Sequence, residues 1–154
     1  MRQPTSVLVY PFCHVSGAWE VLLLRRVARP KLGLAAFWQG VTGAIKRNEP
    51  LESAAHRELF EETGFAPPRL IASDHVATFP IPSARRSRYA PGTERITEHA
   101  FAAVLGEAAD PPSPTLSGEH DAWRWCSLNE AAAILYWPNN VEALRRCEAI
   151  LRSR

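Results

Sequence analysis

The chain has 154 residues and a formal net charge of only +2, with 46% hydrophobic and 22% charged residues. This length and composition predict a single globular domain, residues 1–154, that is soluble and buries a sizeable core. The small net charge gives no support for a nucleic-acid or membrane partner, and no apolar stretch is long enough to span a bilayer. Three widely spaced cysteines favour buried thiols in a reducing compartment, so we expect a cytoplasmic protein.

The first elements are predicted to be strands. Residues 6–15 and 19–25 are runs of β-branched and aromatic side chains separated by a Ser-Gly pair, a pattern that predicts a hairpin. A basic loop is expected over residues 26–36, and a short strand over residues 37–45. Two glycines in that short strand would let the backbone approach a ligand closely.

A helix is predicted from residue 50 to residue 63. Its first residue is a proline, which suits the first turn, and Gly64 suits the position after the last turn. On this helix Glu58, Glu61 and Glu62 fall within an arc of roughly 100°, since each residue turns the helix by about 100°. Like charges at this spacing weaken an isolated helix, so they indicate a functional site, and the simplest compensation is a hard divalent cation.

Three more strands are predicted after this helix, over residues 70–80, 95–105 and 122–128. The segments between them are a basic loop and a flexible connection rich in proline and serine, residues 83–93 and 109–118.

The chain is predicted to end in two helices. Ser127 and Glu130 form a candidate capping box that opens a helix to about residue 136. Pro138 then starts an amphipathic helix with apolar residues at helical spacing. Strands interleaved with helices predict an α/β fold with a mixed sheet.

The segment GAIKRNEPLESAAHRELFEETGF, residues 43–65, resembles the Nudix box. Its glycines, arginine and glutamates stand at the spacing of that motif, and no specified position departs from it. The resemblance implies an α/β/α Nudix sandwich with a mixed β-sheet, and magnesium-dependent hydrolysis of a diphosphate linked to another moiety. The alternative is a solvated acidic helix without a function, and the full spacing with its flanking glycines argues against it.

The box glutamates are expected to bind metal and to take part in catalysis. Glu58 and Glu62 lie one helical turn apart, so both can ligate Mg²⁺, or Mn²⁺ as a substitute, with Glu61 beside them. The resemblance adds the backbone carbonyl of Gly43 to the metal ligands. Such an ion would offset phosphate charge and activate the water that attacks phosphorus.

The resemblance assigns supporting roles to three further residues of the box. Arg57 is expected to orient a glutamate by ion pairing and therefore to contribute to catalysis. Glu49 corresponds to the position that braces the loop against the helix, and Gly64 is structural.

A general base or a further metal ligand is expected from outside the box. Glu119 stands where several Nudix relatives carry such a glutamate, and a surface-loop glutamate is the alternative. For the neighbouring His120, a structural role is favoured over a functional one. Glu98 falls inside a predicted strand, and periodicity leaves open whether it faces the site or solvent.

Beyond the box the chain resembles one Nudix branch, the bacterial dihydroneopterin triphosphate pyrophosphohydrolases of folate biosynthesis. The resemblance lies in FWQGVTG at residues 37–43, RYAPGTERITE at 88–98 and EHDAWRW at 119–125, and more loosely in WPNNVEALRRC at 137–147. It implies hydrolysis of dihydroneopterin triphosphate to the monophosphate and pyrophosphate.

Two other functions remain open from the sequence. One is the same chemistry on a nucleoside triphosphate or a dinucleoside polyphosphate. The other is a catalytically silent Nudix-fold module that binds a ligand, which the presence of all three box glutamates disfavours. The expected partner is a small-molecule pterin or nucleotide triphosphate, and the oligomeric state is left open.

Two basic segments are candidates for binding the phosphates, because arginine makes planar, charge-assisted hydrogen bonds to them. The candidates are Arg85, Arg86 and Arg88 in the second loop and Arg25, Arg26 and Lys31 in the first. The alternative is that these are solvated loop charges.

Aromatic side chains near these segments are candidates for stacking on a flat pterin or purine, namely Tyr89, Phe37 and Trp38. Gln39 could read a ring edge through its paired donor and acceptor groups. The alternative for Phe37 and Trp38 is a place in the hydrophobic core.

Overall fold

The computed structural model describes residues 1–153, and its first two strands form the predicted hairpin. β1 (Thr5–Val15) and β2 (Ala18–Arg26) run antiparallel. The turn between them consists of Ser16 and Gly17, with φ of 48° and 85°. A two-residue turn with positive φ at both positions matches the twist of the flanking strands, which explains the glycine.

Residues 37–45 form two short strands, so the prediction of a single strand was wrong. β3 (Phe37–Gln39) pairs with β2, and β4 (Val41–Ala44) pairs with β1. The break falls at Gly40, where a Cβ atom would lie 2.8 Å from the Tyr10 ring. The physical reason is that β1 and β2 pair only near their shared turn, so the chain passes from one strand to the other.

Three further strands complete the seven-stranded sheet of the described chain, namely β5 (Arg69–Pro80), β6 (Arg95–Glu107) and β7 (His120–Ser127). β6 lies parallel to β1 and antiparallel to β5, while β7 pairs antiparallel with β2. Parallel and antiparallel pairs occur together, so the prediction of a mixed sheet is confirmed.

Helices cover both faces of this sheet. α1 (Leu51–Thr63) lies on one face and ends where the sequence predicts, because Gly64 has φ of 78° and donates its backbone N–H to the Phe60 carbonyl at 2.8 Å. α2 (Leu128–Ile134) and α3 (Pro138–Arg152) lie on the other face. The α/β/α layering is therefore confirmed.

α2 begins at the predicted capping box and ends before residue 136. The Glu130 N–H donates to the Ser127 hydroxyl at 3.2 Å, and the Ser127 N–H donates to the Glu130 carboxylate at 3.2 Å. Leu135 has an extended ψ of 133° and forms an isolated parallel bridge with Trp38 of β3. Pairing with β3 thus replaces the last helical turn that the sequence predicts.

Alternation along the strands divides the core into two clusters. On β1, Val7 and Val9 point to the α1 face, whereas Leu8 and Tyr10 point to the face covered by α2 and α3. All four side chains are at most 1% exposed. β1 is therefore buried on both faces, as a central strand should be.

The two basic loops contain short 3-10 helices, Pro30–Leu32 and Ser83–Arg88. The second loop is anchored by a third, small cluster in which Tyr89 packs with Ile81 and Ile96. Within residues 1–153, no helix is both long and apolar enough to cross a membrane.

Candidate active site

Two of the three box glutamates on α1 are buried. Glu58 and Glu62 are 8% and 5% exposed, whereas the side chain of Glu61 is 49% exposed. Their spacing of one helical turn puts Glu58 and Glu62 on the face of α1 that packs against the sheet. Two carboxylates are thus held in a poorly solvated setting, and a third lies beside them in water.

Arg57 connects the glutamates to the segment that precedes the helix. Its Nε and Nη2 each donate to Glu49 at 2.8 Å, while Nη1 donates to Glu58 at 2.9 Å and to Glu61 at 3.2 Å. Nη2 also donates to the Ala44 carbonyl at 3.1 Å. One guanidinium group therefore fixes two box glutamates relative to the end of β4.

Glu49 and Glu58 respond to Arg57 in different ways. Hydrogen bonds from Arg57 lower the pKa of Glu49 to about 2. For Glu58, burial is the larger effect and raises the pKa above its ordinary value, although Arg57 opposes the change. A buried carboxylate with a raised pKa is one whose charge a bound cation would stabilise.

Gly43 lies directly against Glu58. A Cβ atom at residue 43 would overlap the Glu58 carboxyl group, including both of its oxygens. Only glycine leaves room for the carboxylate here, which accounts for the first residue of the box pattern. The carboxylate and the backbone at residue 43 are consequently close neighbours.

A buried chain of hydrogen bonds holds Glu62. Its carboxylate accepts from the Ser117 hydroxyl at 2.5 Å and from His120 Nδ1 at 2.9 Å. His120 Nε2 lies 3.0 Å from the Gln39 amide nitrogen. The neutral imidazole with its proton on Nδ1 satisfies both contacts, since Nε2 can then accept from the amide.

These hydrogen bonds favour the ionised form of Glu62. Burial opposes ionisation, but the hydrogen bonds from His120 and Ser117 lower the pKa of Glu62 below its ordinary value.

The roles of Ser117 and His120 beside Glu62 were not predicted. The sequence favours a merely structural His120 and gives no signal for Ser117, because Ser117 lies in a segment without regular secondary structure. Their relation to Glu62 depends on tertiary packing. Gln39, predicted to read a substrate ring, lies in this chain instead and is 7% exposed.

Glu119 directly precedes β7, and its side chain is 55% exposed. It forms an ion pair with Arg26 at 3.2 Å and lies close enough to Glu62 to affect its pKa. Over residues 1–153, no three acidic, histidine or cysteine side chains converge as a preformed metal cage. The predicted metal ligands therefore lie in one region of the structure but do not form a closed coordination site.

The two basic loops and the N-terminal segment meet and form an arginine cluster. It comprises Arg2, Arg26, Arg29, Arg85 and Arg88, which lie close enough for their charges to interact. Burial and the neighbouring arginines lower the pKa of Arg29 to about 10. The Nε atoms of Arg26 and Arg29 are buried and have no hydrogen-bond partner in the described part of the chain. Concentrated positive charge with unused donors is suited to a polyanion.

The predicted stacking residues are not exposed together. Tyr89 is only 3% exposed and packs with Ile81 and Ile96, a position that does not fit stacking on a ligand. Trp38 is half-buried against the core cluster of α2 and α3, and Phe37 is 6% exposed. The exposed aromatics in this region are Tyr136 and Trp137, which the sequence analysis did not predict as stacking residues.

Glu98 lies on the sheet face opposite α1. Its carboxylate accepts from the Thr42 hydroxyl at 3.2 Å and lies 3.5 Å from the Ser6 hydroxyl. Burial raises its pKa from 4.5 to about 7, with Thr42 and Ser6 opposing the shift. The position of Glu98, left open by periodicity, is therefore the interior beside Tyr10.

Comparisons of sequence and structure relate this chain to one family of known proteins. The NUDIX domain model matches residues 2–147. The dihydroneopterin triphosphate diphosphatase of Escherichia coli is 32% identical over 149 residues, 94% of this chain and 92% of that protein. Its solved structure, described as a pyrophosphohydrolase, superposes with a TM-score of 0.75 over 94% of each chain.

Two further relatives are similar over most of this chain. A Nudix hydrolase structure from Listeria monocytogenes has a TM-score of 0.80 at 28% identity and covers 98% of this chain and 96% of its own. An RNA pyrophosphohydrolase of Bartonella clarridgeiae is 28% identical over 141 residues, 87% of this chain and 80% of that protein.

Fold and site together define a hydrolase that acts on phosphoanhydride bonds. The chain belongs to the Nudix family, whose members generally use divalent metal ions. Within that family its relatives include pyrophosphohydrolases of both a pterin triphosphate and RNA.

Proposed function

We propose that this chain is a Mg²⁺-dependent pyrophosphohydrolase that converts dihydroneopterin triphosphate to the monophosphate and pyrophosphate. The observation that carries the proposal is the arginine cluster beside Glu119, which supplies positive charge for a triphosphate next to the box glutamates. The relatives from Escherichia coli support the choice of the pterin. We further propose that residues 1–154 act as one cytoplasmic domain.

The residues fit a hard divalent ion. All of the candidate side-chain donors are carboxylate oxygens, the type that Mg²⁺ prefers, and Mn²⁺ could substitute. Glu58 and Glu62 would hold the ion together with the Gly43 carbonyl, and the exposed Glu61 and Glu119 are further candidate donors. Bound there, the ion would neutralise phosphate charge and lower the pKa of a nucleophilic water.

The chain's own residues hold these groups in place. Arg57 restrains Glu58 and Glu61, so it acts as a positioning residue for the site. Ser117 and His120 keep the Glu62 carboxylate ionised and fixed in orientation. Glu119 is the exposed carboxylate that could accept a proton from water, and its ion pair with Arg26 would be exchanged for a phosphate contact.

A nucleotide substrate is the second candidate, and the Bartonella relative favours it. The arginine cluster would bind the phosphates of a nucleoside triphosphate, a dinucleoside polyphosphate or a 5′-triphosphorylated RNA by the same contacts. Only the group at the other end of the phosphate chain distinguishes these compounds. The choice therefore requires a direct comparison of substrates.

The test is a hydrolysis assay with Mg²⁺ across all of these substrates in which every product is separated and quantified, because a dinucleoside tetraphosphate yields two nucleotides and the triphosphates yield a monophosphate and pyrophosphate. We expect kcat/KM to be highest for dihydroneopterin triphosphate. If dATP, a dinucleoside tetraphosphate or triphosphorylated RNA were hydrolysed far faster, the assignment of the pterin would be wrong while the reaction class would stand.

Two variants test the alternative that this chain is a catalytically silent Nudix-fold module that only binds a ligand. Glu58→Gln and Glu62→Gln should each lower kcat by at least about a hundredfold, because each removes a charged metal ligand. Hydrolysis that is undiminished in both variants would show that the chain does not use its box glutamates for catalysis.

A further inference from the structure

Two exposed aromatic side chains stand next to each other at the connection between α2 and α3. Tyr136 is 57% exposed and Trp137 is 39% exposed, and their ring centroids lie 4.7 Å apart at an interplanar angle of 90°. Both rings contact the buried ring of Phe37, at 5.4 Å and 5.9 Å. We call Tyr136 and Trp137 the aromatic pair.

The sheet places the aromatic pair on the same face as the box glutamates. Phe37 lies opposite Arg26 in the β2–β3 pairing, and Arg26 lies opposite His120 in the β2–β7 pairing. Neighbouring strands are about 4.8 Å apart, so Phe37 and His120 are separated by about 10 Å across the sheet. Phe37, Arg26 and His120 thus form a row across the sheet. Because His120 contacts Glu62 of α1, this row connects α1 with the aromatic pair.

The segment after α2 extends this row beyond β3. Leu135 forms a bridge with Trp38, and the Tyr136 N–H donates a long hydrogen bond to the Trp38 carbonyl at 3.5 Å. Leu135 belongs to the core cluster beneath α2 and α3, together with Trp38. Because successive side chains of an extended segment point to opposite faces, Tyr136 lies on the α1 face with Phe37.

Two members of the arginine cluster, Arg26 and Arg29, lie between the glutamates and the aromatic pair. The Arg29 guanidinium is 5.8 Å from the centroid of the Phe37 ring, while Arg26 reaches Glu119 at 3.2 Å. A ligand with a flat ring at one end and a phosphate chain at the other would match this order of groups. The ring would meet aromatic surface, and the phosphates would lie over the arginines.

We propose that Tyr136 and Trp137 form the binding platform for the heteroaromatic ring of the substrate. This inference rests on the proposed function, since the ring belongs to the triphosphate that the arginines and glutamates handle. A flat ring can stack on the face of one aromatic side chain and meet the edge of the other, which is the favourable geometry for perpendicular rings. Stacking is tolerant of ring type, so the platform accepts a pterin or a purine.

The test is equilibrium binding by calorimetry with Ca²⁺ in place of Mg²⁺, so that the phosphates keep a hard cation at the box glutamates while turnover is suppressed, and product analysis after each titration checks that no ligand was hydrolysed. The ligands are dihydroneopterin triphosphate, ATP and inorganic tripolyphosphate, which has no ring. Tyr136→Ala and Trp137→Ala should each weaken binding of the two ring-bearing ligands by about tenfold, which corresponds to one stacked ring. Binding of tripolyphosphate should change by less than about twofold.

Three further variants separate stacking from a structural role. Tyr136→Phe keeps the ring and should bind like the wild type, whereas Trp137→Leu keeps apolar bulk against Phe37 and should lose ring affinity. Phe60→Ala is the matched control, because Phe60 is 62% exposed and lies about 200° around α1 from Glu58 and from Glu62. It should leave the affinity for all three ligands unchanged.

Several results would overturn the platform. These are an equal loss of affinity for tripolyphosphate and the ring-bearing ligands, no loss for either, wild-type affinity in Trp137→Leu, and no binding of ring-bearing triphosphates by the wild type up to millimolar concentration. Failure of the proposed function looks different. In that case the wild type with Mg²⁺ would hydrolyse none of the triphosphates, while the ring-dependent loss of binding would remain.

Discussion

Arg57 is the residue on which the geometry of the box depends. Its guanidinium donates to Glu49, Glu58, Glu61 and the Ala44 carbonyl, and its side chain is 19% exposed. The planar fork makes two parallel hydrogen bonds to Glu49 while still reaching the helix. An ammonium group has the same charge but cannot reproduce this set of directions.

Arg57→Lys should therefore lower the free energy of unfolding by about 1–3 kcal/mol, since a lysine keeps the charge but cannot make all of the directed hydrogen bonds to these part-buried acceptors. It should also lower kcat more than it raises KM, because Glu58 and Glu61 are no longer held in place. Urea denaturation and steady-state kinetics measure the two effects. Arg124→Lys is the control, as Arg124 pairs with Glu130 on the surface and should change stability by at most about 0.5 kcal/mol. Equal effects of the two substitutions would contradict the role of Arg57.

Glu98 is a buried carboxyl that the proposed reaction does not use, and it makes stability depend on pH. Its pKa is about 7 in the folded protein against an ordinary value of 4.5, so the folded state binds the proton more tightly than the unfolded state does. Its stabilising contribution is complete below pH 4.5 and is lost as the pH rises to about 7.

Glu98→Gln removes this titration while keeping the shape and the contacts with Thr42 and Ser6. We expect the variant to gain stability relative to the wild type as the pH rises from 4.5 to about 7. The gain should reach at most about 3 kcal/mol and remain constant above that range, following the free energy of about 1.4 kcal/mol per pKa unit. Thermal unfolding at several pH values measures it. A difference between the two proteins that does not vary with pH would contradict the assignment.

At the scale of elements, the split between β3 and β4 shapes the site. β3 places Phe37 and Gln39 beside β2 and β7, and β4 places Gly43 beneath Glu58. Gly40 allows the chain to pass between them against Tyr10. β3 therefore places Phe37 against the aromatic pair and Gln39 in the hydrogen-bond chain of Glu62, while β4 places Gly43 against Glu58.

Gly43→Ala tests this arrangement directly. The new methyl group would overlap the Glu58 carboxyl, so that side chain must leave its position. We expect kcat/KM to fall by at least about a hundredfold, and the Mg²⁺ concentration for half-maximal activity to rise, while the fold is retained. Gly118→Ala is the control, because a Cβ atom there has no neighbour within 4 Å. Wild-type activity in Gly43→Ala would show that the contact with Glu58 is unimportant.

Elements set by local chemistry could be predicted from the sequence, and those set by distant pairing could not. α1 is bounded by Pro50 and Gly64, which act on their own neighbours, and its end was predicted correctly. The break at Gly40 depends on where β1 and β2 separate, and no local pattern carries that information. The same holds for the site, since the contacts of Glu62 with Ser117 and His120 arise only when β7 pairs with β2.

At the scale of the whole molecule, the fold concentrates positive charge in a nearly neutral protein. The formal net charge is +2, yet the arginine cluster unites two loops that lie far apart in the sequence. Local density, and not total charge, is what attracts a polyanionic substrate. The composition gave no support for a nucleic-acid binder, and it could not reveal this cluster.

Arg88→Ala should raise the KM for a triphosphate substrate by about five- to tenfold with little change in kcat, because it weakens phosphate binding. Higher salt should raise the wild-type KM as well, and Arg88→Ala should respond less steeply, since screening acts on the charge that it has lost. Arg146→Ala is the control, because Arg146 is exposed on α3 and pairs with Asp74. A KM that depends on neither Arg88 nor salt would argue against the cluster as the phosphate site.

The central position of β1 also governs when the active site can form during folding. β1 pairs in parallel with β6, which brings Thr5 opposite Thr97. β2 pairs with β7, and Arg26 and His120 become neighbours only when this pairing forms. Contacts between such distant positions carry a high loop-closure cost and slow the folding of a chain. On a ribosome, α1 would emerge with its acidic cluster long before the strands that restrain Glu62. Catalytic competence would then appear late, after the C-terminal strands have joined the sheet.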